Sequence, residues 1–164
     1  MNKSVMSVCI IGHGRVGKFF EALLMPMKGI RVFIKHKHEP RYPAVDVFLI
    51  CVQDQWVSKV VEELTVHEQD QVFSAVHCSG ILPLNVLLPL AEVNGEGSRW
   101  NDNNHGVRYE SEFNKIAVLH PLAPINSQMV SADNILFDAM GDPELLLIFE
   151  HGCKNWGARV VMVD

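Results

Sequence analysis

The stretch Gly12-His13-Gly14-Arg15-Val16-Gly17 has the glycine spacing of a turn that cradles a pyrophosphate. In such a turn the first glycine makes the bend. The second lets the backbone approach the phosphates, and the third lets the following helix close on the strand. The helix then offers free N–H groups and a partial positive charge to an anion. The competing reading is a tight strand-to-helix turn whose glycines serve packing alone. Context favours the phosphate: a buried apolar run precedes the turn, an amphipathic pattern follows it, and both lie near the first residue.

A second group of residues bears on which nucleotide would fit. Readers of NAD carry an acidic residue about 20 residues past the turn, on the ribose hydroxyls. Here that position falls on Lys35-His36-Lys37, and no carboxylate follows before Glu39. Cations suit a 2′-phosphate, so NADP(H) is expected in preference to NAD(H). A solvated basic turn is the alternative.

Proton-handling candidates are His77 and His120, both at the expected carboxyl ends of strands. Histidine transfers protons near neutral pH or hydrogen-bonds a carbonyl. Each imidazole could instead bond a loop carbonyl and shape its turn. Ser79 could hold a ligand or cap the helix after it. Asp54 could cap a helix near Trp56 or accept a ribose hydroxyl. Cys78 lies in no cysteine-nucleophile signature. His105, Asp102 and Glu110 match no metal-ligand spacing, so no metal site is expected.

These residues need elements to hold them. Residues 7–11 form a continuous apolar run, as in a central parallel strand. Val16, Phe19, Phe20, Leu23 and Leu24 recur at the spacing of a helix with one buried face, over residues 16–25. Strands are predicted at 30–34, 44–52, 71–77, 115–119, 145–149 and 159–163. Helices are predicted at 57–64 and 84–90. Residues 153–157 read as a helical turn, or as the end of a helix starting near Pro143. Residues 94–114 read as a long polar loop. Strands alternating with helices imply an α/β doubly wound, mostly parallel sheet.

Size and composition set the outer bounds. The 164 residues suit one domain over 1–164. Hydrophobic residues make up 48% and the net charge is −5, which argues against a nucleic-acid footprint. No run is long enough for a membrane span. The four cysteines show no C-x-x-C spacing; Cys9 and Cys51 read as small buried hydrophobes, as expected of a reducing cytoplasm.

The glycine turn, then Val52-Gln53-Asp54, then His77-Cys78-Ser79-Gly80, then His120-Pro121 together resemble one family. It is the Rossmann-like domain of predicted NADP-binding oxidoreductases that carry a helical C-terminal domain of unassigned function. That family is similar to pyrroline-5-carboxylate reductase, 6-phosphogluconate dehydrogenase and the deazaflavin-dependent NADP reductases. The resemblance implies that Val52, Gln53 and Asp54 face the ribose on the nicotinamide side. It also implies that His77, Ser79, Gly80, His120 and Pro121 surround the nicotinamide end.

Two departures from that family follow from length. About a dozen residues lie between Ile34 and Val47, too few for a further helix and strand, so the second βαβ segment is shortened and the adenine-side wall thin. The chain also stops at Asp164, before the helical part that would make a dimer and complete the substrate pocket. A homodimer or a hetero-partner supplying that part is therefore expected. The resulting expectation is hydride transfer to or from a C=O or C=N substrate. The rivals are a non-catalytic nucleotide-binding or interaction module and, more remotely, an S-adenosylmethionine site.

Overall fold

Strand β1 (Met6–Ile11) is buried on both faces from Val8 onward because helices cover each side of the sheet. The computed structural model describes residues 5–67, 73–92, 115–122, 125, 135–155 and 157–163. The predicted polar loop at 94–114 lies outside the described residues.

The elements follow as α1 (Arg15–Leu24), β2 (Ile30–Lys35), β3 (Val47–Ile50), α2 (Asp54–His67) and β4 (Ser74–His77). A 3-10 turn (Leu84–Leu87) runs into α3 (Leu88–Glu92). Then come β5 (Ile116–Pro121), β6 (Leu136–Gly141), α4 (Pro143–Asn155) and β7 (Arg159–Met162). The seven strands form one sheet in the order β2-β1-β3-β4-β5-β6-β7. Every pairing is parallel except β5 with β6. This is the α/β Rossmann-like, mostly parallel arrangement.

Period-two alternation splits the core. Val8, Ile10, Val47 and Leu49 meet Phe19, Phe20 and Leu23 of α1 and Leu145, Leu146 and Phe149 of α4. Cys9, Ile11, Phe48 and Ile50 point to the other face, against Val57, Val61 and Leu64 of α2 and Leu87 and Leu90. Phe20 sits at the centre of the first layer, within aromatic contact of Phe19, Phe137 and Phe149.

The shortened segment is as expected: residues 36–46 contain neither helix nor strand, and β2 is an edge. They are pinned from both ends. Tyr42 donates a 2.6 Å hydrogen bond to Glu63 on α2. Asp46 accepts both the amide and the hydroxyl of Ser7 at 2.6 Å.

One prediction is overturned. Residues 145–149 belong to α4, and no strand lies there. The run Leu-Leu-Leu-Ile-Phe mimics a buried strand because five apolar residues stand in a row, although only one face of α4 is buried. Its burial is helical, with Leu145, Leu146, Phe149 and Cys153 buried and Leu147 exposed. Pro143 opens the helix, and Asp142 accepts the Leu145 amide at 2.9 Å as its cap. The strand that fills this place in the sheet, β6, was not predicted. Its buried residues Phe137 and Ala139 alternate with Leu136, Asp138 and Met140. Smaller differences concern ends: β3 is shorter than residues 44–52, and α2 is longer than 57–64. Residues 71–72 of the predicted fourth strand lie outside the described residues.

Candidate functional site

The sheet order reverses at β1. From there the chain goes outward to β2 and returns to β3 on the other side. The chain leaving β1 therefore turns to α1 on one face and the chain leaving β3 to α2 on the other, which sets the crevice at these carboxyl ends, the usual ligand position in such sheets. The glycine turn leaves β1 at that point, and residues 51–54 leave β3 beside it.

Each glycine of the turn has a distinct physical reason. Gly12 has φ of +96°, and a Cβ there would stand 2.8 Å from the Cys51 backbone. At Gly17 a Cβ would lie 2.0 Å from the Gly12 carbonyl oxygen, so only glycine lets α1 begin this close to β1. Gly14 differs: nothing lies within 4 Å of where its Cβ would be. It is the N-cap of α1, with no side-chain cap and no acidic residue in the first turn. The head of α1 thus has a residue without a side chain in front of it, open space beyond, and no competing carboxylate.

His13 and Arg15 flank this opening. His13 Nε2 pairs with Glu21 at 2.7 Å, and its ring meets His36 edge-on at 6.2 Å between centroids. The turn is thereby tied to the end of β2. Arg15 and Lys37 are exposed, while Val16 is half-buried. Lys35 takes a different role from its neighbours. Its ammonium bonds the carbonyls of His36 and Glu39 and lies 5.0 Å over the Tyr42 ring. Glu39 folds back, accepting the His36 amide at 3.0 Å. No sequence pattern signalled this carboxylate, because a turn brings it to the strand end.

On the β3 side, Val52 and Asp54 are half-buried and Gln53 is exposed. Asp54 lies in the first turn of α2, where its charge complements the helix dipole. The Gln53 carbonyl accepts the Trp56 amide at 2.8 Å.

His77 ends β4 and is completely buried. Its Nδ1 accepts the Ser79 amide at 3.2 Å, so in the neutral ring Nε2 carries the proton and points to the Pro83 carbonyl at 3.4 Å. Burial holds its pKa below the ordinary histidine value, against weaker opposing pulls from Pro83 and Asp54. The Ser79 hydroxyl accepts the amides of Ile81 and Leu82 at 3.3 and 3.1 Å, which builds the following turn. Gly80 is exposed and packs under His120: a Cβ there would sit 2.1 Å from His120 Cε1. His120 lies on β5, adjacent to β4, and is half-buried. Its Nδ1 is buried without a hydrogen-bond partner.

The fold thus gathers the glycine turn, residues 52–54, Ser79, Gly80, His77 and His120 at the carboxyl ends of β1, β3, β4 and β5. Lys35, His36 and Lys37 stand at the end of β2. A shallow cleft of about 320 Å³ lined by Met6, Met27, Ile30, Ile148 and His151 opens at the amino ends of β1 and β2, away from these residues. Among the described residues, no group of three His, Cys, Asp or Glu side chains could hold a metal ion. Among them, too, no helix is long and apolar enough to cross a membrane.

Several solved structures share this fold at low sequence identity. Pyrroline-5-carboxylate reductase from Coxiella burnetii superposes with a TM-score of 0.66 at 12% identity, over 98% of this chain and 60% of its own. A reductive aminase from Aspergillus terreus, in complex with NADPH and ethyl-5-oxohexanoate, gives 0.64 at 11%, over 98% and 55%. An imine reductase from Streptomyces aurantiacus gives 0.58 at 12%, over 95% and 55%. The chain therefore spans little more than half the length of these proteins. No family model matches it, and no curated protein matches it in sequence. Fold and crevice together define a Rossmann-like α/β domain of the architecture found in these reductases.

Proposed function

We propose that the glycine turn and the strand ends beside it bind NADP(H), and that the chain is the cofactor-binding part of an oxidoreductase acting on a C=O or C=N group. The observation that carries this is the head of α1, where Gly14 leaves the helix terminus open and no side chain caps it. Of the three shape-similar proteins described above, two are named as reductases and the third is a reductive aminase described in complex with NADPH.

In this reading Gly12, His13, Gly14, Arg15, Val16 and Gly17 hold the pyrophosphate by main-chain amides. Lys37 and Arg15 supply cations for a 2′-phosphate, His36 stands beside them, and Lys35 braces their loop. Val52, Gln53 and Asp54 meet the ribose, and Ser79 and Gly80 border the nicotinamide. The bound dinucleotide supplies or takes the hydride. His120 is the proton-handling residue: it is half-exposed, and its Nδ1 has no partner to satisfy it. His77 acts as a neutral positioning residue that shapes the Ser79–Gly80 loop beneath it.

A second reading, a nucleotide-binding module without catalysis, draws support from His77. Both its ring nitrogens are engaged within its own loop, leaving one histidine for chemistry.

Thermal denaturation with NADPH tests the proposal. A ligand at 100 times its Kd adds about 2.7 kcal/mol, which at this size raises Tm by roughly 5–11 °C. An unchanged Tm with NADPH and NADH alike removes the nucleotide reading. A shift without turnover of any imine or carbonyl compound selects the second reading.

A further inference from the structure

Cys51 and Cys78 are remote in sequence and adjacent in the fold. Cys51 is the first residue after β3, and Cys78 the first after β4. The β3–β4 register ends on Ile50 opposite His77, so the two cysteines occupy the next rung. Two main-chain bonds fix them there: Cys51 N–H to the Ile11 carbonyl at 2.7 Å, and Cys78 N–H to the Ile50 carbonyl at 3.1 Å. Neighbouring strands run about 4.8 Å apart, within the Cα separations of about 4.4–6.8 Å that disulfides span. Both cysteines are free thiols, and their sulfurs lie 3.8 Å apart. Bond formation needs the sulfurs to approach to about 2.05 Å, a change that side-chain rotation can make while both strand ends stay in register.

The two thiols are not equivalent. Cys78 is buried, and burial pushes its thiol well above the ordinary cysteine range. Cys51 is half-buried and lies beside the glycine turn, where a Cβ on Gly12 would stand 2.8 Å from its backbone. The sequence reading of Cys51 as a buried hydrophobe holds in part: it packs against the core but is not fully buried. Cys51 is therefore the less buried residue of the pair, and Cys78 the more enclosed. Cys153 belongs to the same core layer but is completely buried in α4.

We infer that Cys51 and Cys78 form a dithiol modification site that a hydroperoxide converts to a cross-strand disulfide. The Cys51 thiolate attacks the peroxide oxygen. The O–O bond breaks, the alcohol or water leaves, and Cys51 becomes a sulfenic acid. The Cys78 sulfur then attacks the Cys51 sulfur, the S–O bond breaks, and the Cys78 proton leaves with the hydroxyl as water. Two thiols are oxidised by two electrons in total, and one peroxide is reduced by the same two. The new bond would staple the strand ends that carry residues 52–54 and 78–80. The inference stands apart from the nucleotide proposal, because its chemistry needs no nucleotide.

The test uses the reduced protein with hydrogen peroxide and no nucleotide, followed by N-ethylmaleimide, intact mass and non-reducing peptide mapping. The expected product is lighter by two hydrogen atoms and takes up two fewer maleimides. It links the Cys51 peptide to the Cys78 peptide within one chain, and dithiothreitol reverses it. Cys78→Ser should stop at a Cys51 sulfenic acid that dimedone traps, and Cys153→Ser should behave as wild type. The wild-type map needs no variant to fold. A bond through Cys153, a bond between chains, or Cys51 and Cys78 both left as free thiols would each overturn the inference.

Discussion

Two methyl groups placed at Gly14 and Gly17 should have opposite consequences, and the structure supplies the magnitudes. At Gly17 the added Cβ falls 2.0 Å from the Gly12 carbonyl oxygen and 3.0 Å from its carbon. These are backbone atoms, so no side chain can rotate away. Overpacking of this kind costs up to about 3 kcal/mol. Alanine returns about 1 kcal/mol over glycine as a helix former. The net loss is about 2 kcal/mol, or a Tm lower by roughly 4–8 °C for a chain of this size. At Gly14 the methyl meets nothing within 4 Å, and φ of −80° suits alanine. The remaining cost is that of alanine against glycine as an N-cap, roughly 0.5 kcal/mol. Yet this methyl stands where a pyrophosphate would approach, and NADPH affinity should fall at least about tenfold, about 1.4 kcal/mol. Calorimetry for Tm and NADPH fluorescence titration for Kd measure both variants. Gly14→Ala with wild-type stability and wild-type NADPH affinity would refute the phosphate-cradle argument. Gly17→Ala with unchanged Tm would refute the packing argument.

Two further outcomes follow from the same geometry. Lys37 is exposed while Lys35 is committed to loop carbonyls, so Lys37→Ala should weaken NADPH by about tenfold and leave NADH nearly unchanged; equal losses for both nucleotides would remove Lys37 from phosphate recognition. Because burial lowers the His77 pKa in the folded chain, the unfolded chain binds a proton below about pH 6.5 that the folded chain resists. Stability contributed by neutral His77 is therefore present above that pH and lost as pH falls. Urea midpoints at neutral and mildly acidic pH should fall further for wild type than for His77→Gln, and an equal fall in both would discount burial of this ring.

The glycine turn was legible because its three positions answer local demands: a positive φ at Gly12, close approach at Gly17, open space at Gly14. Buried parallel strands were legible for a similar reason, since helices on both faces force continuous apolar runs such as residues 8–11 and 47–50. The same rule misled at residues 145–149. There the apolar run matches a strand because the exposed Leu147 is apolar too, and the Asp142 cap and Pro143 are the local signs of a helix. The strand that belongs beside β5 carries Asp138 and Met140 between its buried residues and lacks that signature.

What residue order alone determined was a part of the local conformations: the bend at the glycine turn, the helix that follows it, and the apolar runs of the central strands. Those depend on neighbours within a few positions. Only the tertiary structure decided which strand ends lie together. It placed Gly80 under His120, turned Lys35 inward and Glu39 back to His36, closed both nitrogens of His77, and set Cys51 beside Cys78. The physical reason is that each of these contacts depends on how strands are ordered in the sheet or how a loop folds back. Hydrophobic periodicity says which side of an element is buried, but carries no record of which element or loop atom will meet it.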